Sequence, residues 1–500
     1  MNFISSLLSR RHGPYSSAIL LGLTVAVSAS FVAGCGSGNT IQPGEPIPGQ
    51  TTNVALLTSS TANDQLFSYW LPQISSITLT NKAGKNVSLL NNSPKVEFIH
   101  SNGLPAPLLT VSVPQDVYTS AALTYVGSSF SCVTIASGAV DFSTYADSLG
   151  TQSATMKLSS PITVSGTSMG LLLDLQASQS ASVPPGCYDS NFPAAYSITP
   201  TFNLSAITVA SQPSSARNGK LTGIDGVVSG VAGSPSSAGF TLLTPDNTFG
   251  AGTVSGQALS FNADSSTLYQ GISGFSALST GIFVDMDAAI QSDGSLMATR
   301  IAVEDPAALN VVIGPVYQAC CSNIFNVFSL QDQGATLSNA TPYTVGAGTI
   351  FQTSGQFANL QGLPFPARFD ASSIVDGQSV YVSSLALEFV CCTYTPATTV
   401  TLMPQTINGT VTGVSSSGSY QMYTVALASY NLFPTLAAQP LQTNILSNPG
   451  TVVVYVDSST QMLNSTPPSV GSLLRFNGLI FDDNGTLRMA CSQVNDGVPE

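Results

Sequence analysis

Charged side chains are scarce in this sequence. They make up 7% of the 500 residues, against about a quarter of an average soluble protein. Only 12 lysines and arginines are present, the net charge is −13, and no basic patch occurs. Proteins that bind nucleic acid neutralise phosphates with clustered basic side chains, so the composition argues against a nucleic-acid partner. No acidic block occurs either, and we interpret the negative charge as a contribution to solubility.

Histidine is also nearly absent, since only His12 and His100 occur. His12 lies in an N-terminal segment that we expect to be removed, so a histidine-rich metal site is excluded. A Ser-His-Asp triad would have to use His100, which follows a strand-like stretch and enters a turn, where a surface or capping role is expected. Phosphate loops and dinucleotide fingerprints are absent, and we predict no cofactor and no metal.

One short motif has the letters of a catalytic element. Residues 166–170, Gly-Thr-Ser-Met-Gly, match a nucleophile elbow. That element requires a helix after the serine, whereas a strand-like stretch follows here. We therefore interpret the motif as a turn before a strand and predict no catalytic residue.

Long apolar runs are confined to the N-terminus. Two arginines precede the run Ala18–Phe31, which has the length of a signal peptide and is short for a membrane span. The residues that follow resemble the bacterial lipobox, in which an aliphatic and two small residues precede an acylated cysteine: Val32, Ala33, Gly34 and Cys35. The resemblance implies a cleaved lipoprotein signal peptide, residues 1–34, and a fatty-acyl (palmitate) anchor on Cys35.

The predicted anchor gives an address outside the cytoplasm. An ordinary secretory signal with an incidental cysteine and a retained membrane anchor are the alternatives. Residues 35–52 contain prolines and glycines without a hydrophobic pattern, which is typical of a flexible tether. We therefore expect the protein in the cell envelope with the membrane as its partner, and Gly36 in place of aspartate favours the outer membrane.

The abundant residues are those of β-strands and turns. Hydrophobic residues make up 43% of the chain, and valine, threonine, tyrosine and phenylalanine suit half-buried strands. Ile77–Thr80 and Val87–Leu90 alternate apolar and polar residues around a glycine-containing turn, which predicts a hairpin. No segment keeps helical periodicity for three turns. The fold class is therefore all-β, with a β-sandwich domain over residues 53–212.

The order of these segments resembles an N-terminal domain of unknown function that is found in many bacterial lipoproteins. The matching segments are Ala55–Leu57, Ile77–Leu90, Val113–Thr119, Leu171–Leu175 and Tyr196–Pro200. The resemblance implies a transthyretin-like or immunoglobulin-like sandwich and no chemistry. Gln115-Asp116-Val117 departs from the usual glycine before the tyrosine.

The second half of the chain contains internal repeats. Asp-Ser-Ser-Thr occurs at 264–267 and 457–460, and Gly-x-Val strands open at Gly226 and Gly409. Asp-Gly and Asn-Gly pairs suit tight hairpins. These units resemble small β-barrel repeats of an uncharacterised family that follows the sandwich domain in similar lipoproteins. We predict repeats over residues 220–306, 307–398 and 402–500, of which the middle one is degenerate.

Seven cysteines remain once Cys35 is acylated. Cys132 and Cys187 fall in the first domain and are predicted to pair. Two adjacent pairs fall in the middle region, where disulfide bridges between the pairs are favoured over a four-thiolate zinc site: Cys320, Cys321, Cys391 and Cys392. Cys491 is left over, either as a free buried thiol or as a partner of one of the others.

Paired carboxylates could serve glycoside hydrolysis. The candidate pairs are Asp285 with Asp287, Glu304 with Asp305, and Asp482 with Asp483. Asp285 and Asp287 share a strand face and could approach one ligand, although a solvated outer face is the plainer interpretation.

Two further features are candidate ligand-binding sites. Residues 482–485, Asp-Asp-Asn-Gly, could form a calcium loop but favour a hairpin turn. Trp70 could be a sugar-stacking platform, with core packing as the favoured role.

The scarcity of catalytic side chains favours a non-catalytic surface lipoprotein, a module for binding, adhesion or envelope scaffolding with an envelope glycan or protein as its partner. The alternative is a carboxylate-based hydrolase that acts on polysaccharide, which would need two acids across a cleft. An assembly partner would show an exposed apolar patch or an open sheet edge.

Overall fold

A computed structural model describes most of the chain beyond the tether. The described residues are 44–61, 66–99, 105–136, 139–182, 196–207, 218–234, 237–243, 258–291, 293–303, 310–320, 323–328, 340–354, 360, 362–384, 394–427, 432–438, 446–462 and 467–497. The predicted lipobox, His100, Cys187, Cys321, Cys391, Cys392 and the pair Glu304 and Asp305 lie outside these residues, as does the side chain of Cys320.

Among the described residues, the N-terminal domain contains thirteen strands and one short helix, α1 (Ala177–Ser180). The strands are β1 (Thr51–Ser60), β2 (Leu66–Leu71), β3 (Gln73–Asn81), β4 (Asn86–Ser88), β5 (Val96–Glu97), β6 (Ala106–Pro114), β7 (Asp116–Ala136), β8 (Ala139–Leu158), β9 (Ile162–Val164), β10 (Ser168–Leu175), β11 (Ala181–Ser182), β12 (Ser197–Ile198) and β13 (Thr201–Ala206).

One continuous path of strands, β4-β3-β7-β8-β13-β10-β1-β6, runs through this domain. The two ends of the path contribute alternate residues to a single core, for example Ile77 and Leu79 from β3 and Leu171 and Leu173 from β10. The predicted hairpin is present, since β3 pairs antiparallel with β4 and Gly84 adopts a φ of 79° in the turn between them.

Three small barrels follow, each formed by a sheet of six described strands. The first contains β14 (Asn218–Ser234), β15 (Ser237–Leu243), β16 (Ala258–Ala263), β17 (Leu268–Gln270), β18 (Phe283–Ile290) and β19 (Leu296–Val303). The second contains β20 (Asn310–Cys320), β21 (Ile324–Val327), β22 (Thr341–Thr344), β23 (Ile350–Thr353), β24 (Ser379–Ser384) and β25 (Thr395–Leu402). The third contains β26 (Gln405–Ser417), β27 (Tyr420–Leu427), the short helix α2 (Leu432–Ala437), β28 (Thr451–Val456), β29 (Gln461–Met462), β30 (Leu473–Asp483) and β31 (Thr486–Asp496).

The three barrels share one strand order. In each, the third strand pairs with the last strand, which closes a five-stranded barrel, and a short fourth strand is added in parallel beside the last one. Each unit is therefore a small closed β-barrel. The all-β prediction, with a sandwich followed by small barrel repeats, is confirmed, and the middle region has the same topology as its neighbours.

A shared hydrogen-bond pattern fixes equivalent positions in the three barrels. Val228, Val316 and Val411 each donate a backbone N–H to the strand opposite and accept one from a glycine, at Gly281 in the first barrel. Counting from these valines along the paired strands assigns every other equivalence used below. The sequence repeats therefore correspond to barrels whose strands pair in the same register.

The residues from Pro43 onward form one compact unit. Strand β1 is buried on both faces, because Val54 and Leu56 lie in the sandwich core while Ala55 and Leu57 lie in the core of the first barrel. The second and third barrels meet where Gln378 Nε2 donates to the carbonyl of Ile480 at 2.8 Å. In the part of the chain described above, no helix is long and apolar enough to cross a bilayer.

Candidate functional site

A cavity of about 240 Å³ lies between the first and second barrels. Its lining is mostly polar and comes from the fourth, fifth and sixth strands of both barrels and the residues directly after them. The first barrel contributes Gln270, Asp285, Asp287 and Arg300, and the second contributes Gln352, Thr353, Ser354, Tyr381, Ser383, Thr398, Thr399, Thr401 and Met403.

The two walls of the cavity are equivalent surfaces of two repeats. Gln270 on β17 is paired with Ala302 on β19, and Gln352 on β23 is paired with Thr401 on β25. The two glutamines therefore occupy the same position in their barrels. By the same register Asp285 corresponds to Tyr381, Asp287 to Ser383 and Arg300 to Thr399. The barrels thus face each other with one surface, which is charged in the first barrel and rich in hydroxyl groups in the second.

The charged wall is built around Arg300. Its Nε donates to Asp287 Oδ2 at 2.9 Å, and its Nη2 donates to Asp285 Oδ2. The side chain of Asp287 is 2% exposed and that of Arg300 is 16% exposed. Burial alone lowers the pKa of the Arg300 guanidinium, but the two carboxylates outweigh burial and raise this pKa above its ordinary value.

The opposite wall is lined by hydroxyl and amide groups. Ser383 Oγ and Thr398 Oγ1 share a hydrogen bond of 3.0 Å, and Gln352 Nε2 donates to Thr401 Oγ1 at 2.9 Å. Ser354 is 4% exposed, and its hydroxyl has no hydrogen-bond partner among the described residues. A buried hydroxyl without a partner is costly. The Ser354 oxygen has almost no accessible surface, so a ligand in the cavity would reach it only after the serine side chain rotates.

The arrangement is suited to holding a ligand more than to transforming one. Asp285 and Asp287 lie on one strand and both bind one guanidinium, whereas a glycosidase needs an acid on each side of the scissile bond. Two carboxylates and one guanidinium give the wall one net negative charge. Among the residues the structure describes, no cluster of histidine, cysteine, aspartate and glutamate has metal-binding geometry.

The structure places Asp285 and Asp287 on one face of β18, as predicted, but the expectation of a solvated face is wrong. Both residues are buried, because the second barrel packs over this face, and Arg300 compensates their charge. No sequence motif contains Arg300, Ser354 or Gln352, and none of the three was predicted as a site residue. The scarcity of arginine was the one signal that could have drawn attention to Arg300.

The other candidates take structural roles. Trp70 is 1% exposed in the sandwich domain, with Lys95 Nζ 4.5 Å from its ring centroid. Residues 482–485 form the hairpin turn between β30 and β31, with φ of 53° at Asn484 and 84° at Gly485. The Gly166–Gly170 motif leads into strand β10, not into a helix.

Two of the cysteines can be placed. Cys132 is buried in the sandwich core, and its predicted bond to Cys187 stays a prediction. The thiol of Cys491 is buried and donates to the backbone carbonyl of Gln493 at 3.2 Å. The backbone carbonyl of Cys491 accepts a hydrogen bond from the hydroxyl of Thr460. The carbonyls of Ala298 and Ala397 accept the corresponding hydrogen bonds from Thr267 and Thr349 in the other two barrels. The leftover cysteine therefore stands where the other two barrels have alanine.

Comparison with known proteins covers one barrel. No curated protein and no solved structure matches the chain. Residues 226–302 match the model of a protein family that is described as a domain of unknown function, DUF5666. The match spans the first barrel from β14 to β19 and includes all four residues with which that barrel lines the cavity, so this wall of the site lies within the DUF5666 domain.

Proposed function

We propose that this protein is a lipid-anchored, extracytoplasmic binding module that holds a small polar ligand between its first two barrels without catalysis. The observation that carries the proposal is the cavity itself. It lies between two barrels, is lined mostly by polar groups, and contains the buried hydroxyl of Ser354, which has no partner among the described residues. Ligand sites are concave and usually combine an apolar lining with a few convergent polar groups. This cavity is concave and mostly polar, which suits a ligand that carries many polar groups.

The ion pairs support binding over hydrolysis. A general acid in a glycosidase needs a proton at working pH, whereas each of the two cavity carboxylates accepts a hydrogen bond from Arg300. Both carboxylates therefore already accept hydrogen bonds from a permanent cation. Fixed acceptors of this kind orient the hydroxyl or amine groups of a ligand.

The anchor and the address are the second part of the proposal. The lipobox-like residues ending in Cys35, and the tether that follows, support attachment to the outer leaflet side of an envelope membrane. Acyl chains on Cys35 would give firm attachment. Intact mass spectrometry of protein from native membranes tests this part. We expect an acylated Cys35 N-terminus in the wild type and its loss in Cys35→Ser, and an unprocessed N-terminus would refute the anchor.

The binding proposal is tested by blocking the cavity. Gln352 lines the cavity from an exposed strand position, so Gln352→Trp should fill the entrance without disturbing a core. Gln421→Trp on β27, also exposed and outside the cavity, is the matched control. Ligand-observed NMR against neutral, amine and acidic small molecules should detect binding to the wild type and the control and not to Gln352→Trp. Equal signals from all three proteins, or no signal from the wild type, would refute the site.

A further inference from the structure

The chemistry of the cavity identifies a class of ligand. We propose that it binds a single non-acidic saccharide unit, either free or at the end of a glycan. This inference rests on the proposed binding function and names the ligand of the same site. Four features of the cavity bear on it, namely its size, its charge, its hydrogen-bonding groups and its apolar margins.

The size of the cavity limits the ligand. Its volume of about 240 Å³ is below the range of roughly 300–1,000 Å³ that is typical of pockets for drug-sized molecules. A molecule of about one sugar ring suits this space, and an extended peptide or a lipid chain does not. A terminal sugar of a longer glycan could enter while the remainder of the glycan stays outside.

The charge of the cavity excludes acidic ligands. Asp285 and Asp287 contribute two negative charges, and Arg300 contributes one positive charge whose Nε and Nη2 groups already bind those carboxylates. A phosphate, sulfate or uronic acid would meet a net negative wall with its cation engaged. A metal ion is disfavoured for the converse reason, since the oxygens that would bind it are paired with Arg300.

The hydrogen-bonding groups match a polyol. Sugar hydroxyls both donate and accept, and the cavity offers acceptors on the Asp side, mixed hydroxyls on the Thr side, and amides at Gln270 and Gln352. Ser354 adds a buried hydroxyl that has no partner in the described part of the protein. A ligand that carries several adjacent hydroxyls satisfies these groups together, whereas an apolar ligand would leave them unpaired.

The margins of the cavity are apolar. Side chains two residues apart on a strand share a face, so Leu268 stands beside Gln270 and Ile350 stands beside Gln352. Leu268 is 53% exposed and Ile350 is 60% exposed, and they occupy equivalent positions of the two barrels. The C–H face of a pyranose ring needs such apolar contact, which a simple polyamine does not. Tyr381 adds an aromatic ring to the wall.

The test is a titration of the full-length protein with glucose, galactose and N-acetylglucosamine, with glucuronate and spermidine as probes of the other charge classes. We expect binding of at least one neutral sugar and none of glucuronate. Ser354→Ala should weaken the sugar about tenfold while the ligand-free protein unfolds at an unchanged or higher temperature, because an unsatisfied group is removed. Ser415→Ala, exposed on β26 and outside the cavity, should change neither.

The outcomes separate this inference from the proposed function. If the protein binds spermidine or glucuronate but no sugar, and Gln352→Trp abolishes this binding, the saccharide inference is overturned and the binding function stays in place. Sugar binding that survives both Ser354→Ala and Gln352→Trp would place the sugar elsewhere and overturn the inference. Absence of binding by every probe would overturn both.

Discussion

The first and third barrels have the same strand order, yet they use the same positions for different contacts. Asp285 of the first barrel is paired with Asp225 on the neighbouring strand, and Arg475 of the third barrel is paired in the same register with Asn408. Asp285 and Arg475 therefore occupy equivalent positions. The position that carries a carboxylate in one barrel therefore carries a guanidinium in the other. The register fixes where a side chain lies, and the identity of that side chain decides what it binds.

The environment of Arg475 shows the consequence. Its Nη1 donates to the carbonyl of Ser60 at 3.3 Å, in the N-terminal domain, and its Nε donates to the carbonyl of Asp496 at 3.0 Å. The buried carboxyl of Asp174, from the same domain, interacts with it electrostatically. One barrel thus uses this surface to form a cavity with its neighbour, and the other uses it to dock onto the sandwich.

The largest expected effect comes from removing the cation of the first barrel. Arg300→Met leaves two buried carboxylates without compensation, which should cost about 3–5 kcal/mol of unfolding free energy. Arg368→Met is the control, because the ion pair of Arg368 with Asp370 is exposed and such pairs contribute about 0–1 kcal/mol. Chemical denaturation of both variants measures the difference, and equal losses would refute the structural role of Arg300.

A second comparison concerns one position in the first and third barrels. It directly follows Asp287 in the first barrel and the equivalent residue, Asn477, in the third. The first barrel has Ala288 there, and the third has Gly478, where a Cβ atom would lie 2.0 Å from the carbonyl oxygen of Ala490. Gly478→Ala should therefore cost about 1–3 kcal/mol through overpacking. Ala288→Gly should cost only about 0.5–1 kcal/mol. Thermal unfolding of both variants tests the asymmetry, which similar losses would contradict.

The third prediction uses pH. Burial raises the pKa of Asp174, against the lowering effect of Arg475, so the folded state binds this proton more tightly than the unfolded state. Relative to Asp174→Asn, the wild type should therefore lose stability as pH rises above about 4, by at most about 1.4 kcal/mol per pH unit. Denaturant unfolding of both proteins between about pH 3 and 7 measures this slope.

Asp116 provides the opposite sign in the same domain. Asn81 Nδ2 donates to Asp116 Oδ2 at 2.6 Å, and this hydrogen bond lowers the pKa of the carboxyl. Relative to Asp116→Asn, the wild type should keep a constant advantage in stability above about pH 4 and lose it as pH falls below about 4. Parallel slopes for the two pairs of proteins would contradict the assignment of either carboxyl.

The smallest effect is expected at Cys491. The equivalent positions of the first and second barrels hold Ala298 and Ala397, so Cys491→Ala should cost no more than about 1 kcal/mol. Cys491→Leu should cost about 1–3 kcal/mol because the position is buried. A calorimetric scan of each variant is sufficient. A large loss in Cys491→Ala would contradict this prediction and would mean that contacts of the thiol, such as its hydrogen bond to the carbonyl of Gln493, contribute more to stability than the equivalence with alanine implies.

The sequence predicted the strands and repeats because their signals are local. Alternation of apolar and polar residues marked the β3–β4 hairpin, and Asn484-Gly485 marked a turn whose positive φ angles these two residues tolerate. The shared topology of the middle barrel was harder to predict, because its turns lack the Asp-Ser-Ser-Thr repeat. Only the register shows that Thr349 takes the position of Thr267.

The site could not be predicted, because it depends on register and on packing between barrels. Ala288 pairs with Ala298, and uninterrupted counting would then pair Asp287 with Thr299. A bulge shifts the register by one residue and pairs Asp287 with Arg300 instead. The second wall belongs to another repeat nearly a hundred residues along the chain, and no local pattern in the sequence indicates that the two surfaces meet.

The most direct test of a ligand site between the first two barrels is a crystal structure of the protein grown with a saturating neutral sugar. We expect one sugar ring inside the cavity, with a hydroxyl within hydrogen-bond distance of Ser354 Oγ and others facing Asp285 and Asp287. A cavity that holds only water under these conditions, or a sugar bound on another surface, would contradict the proposed site.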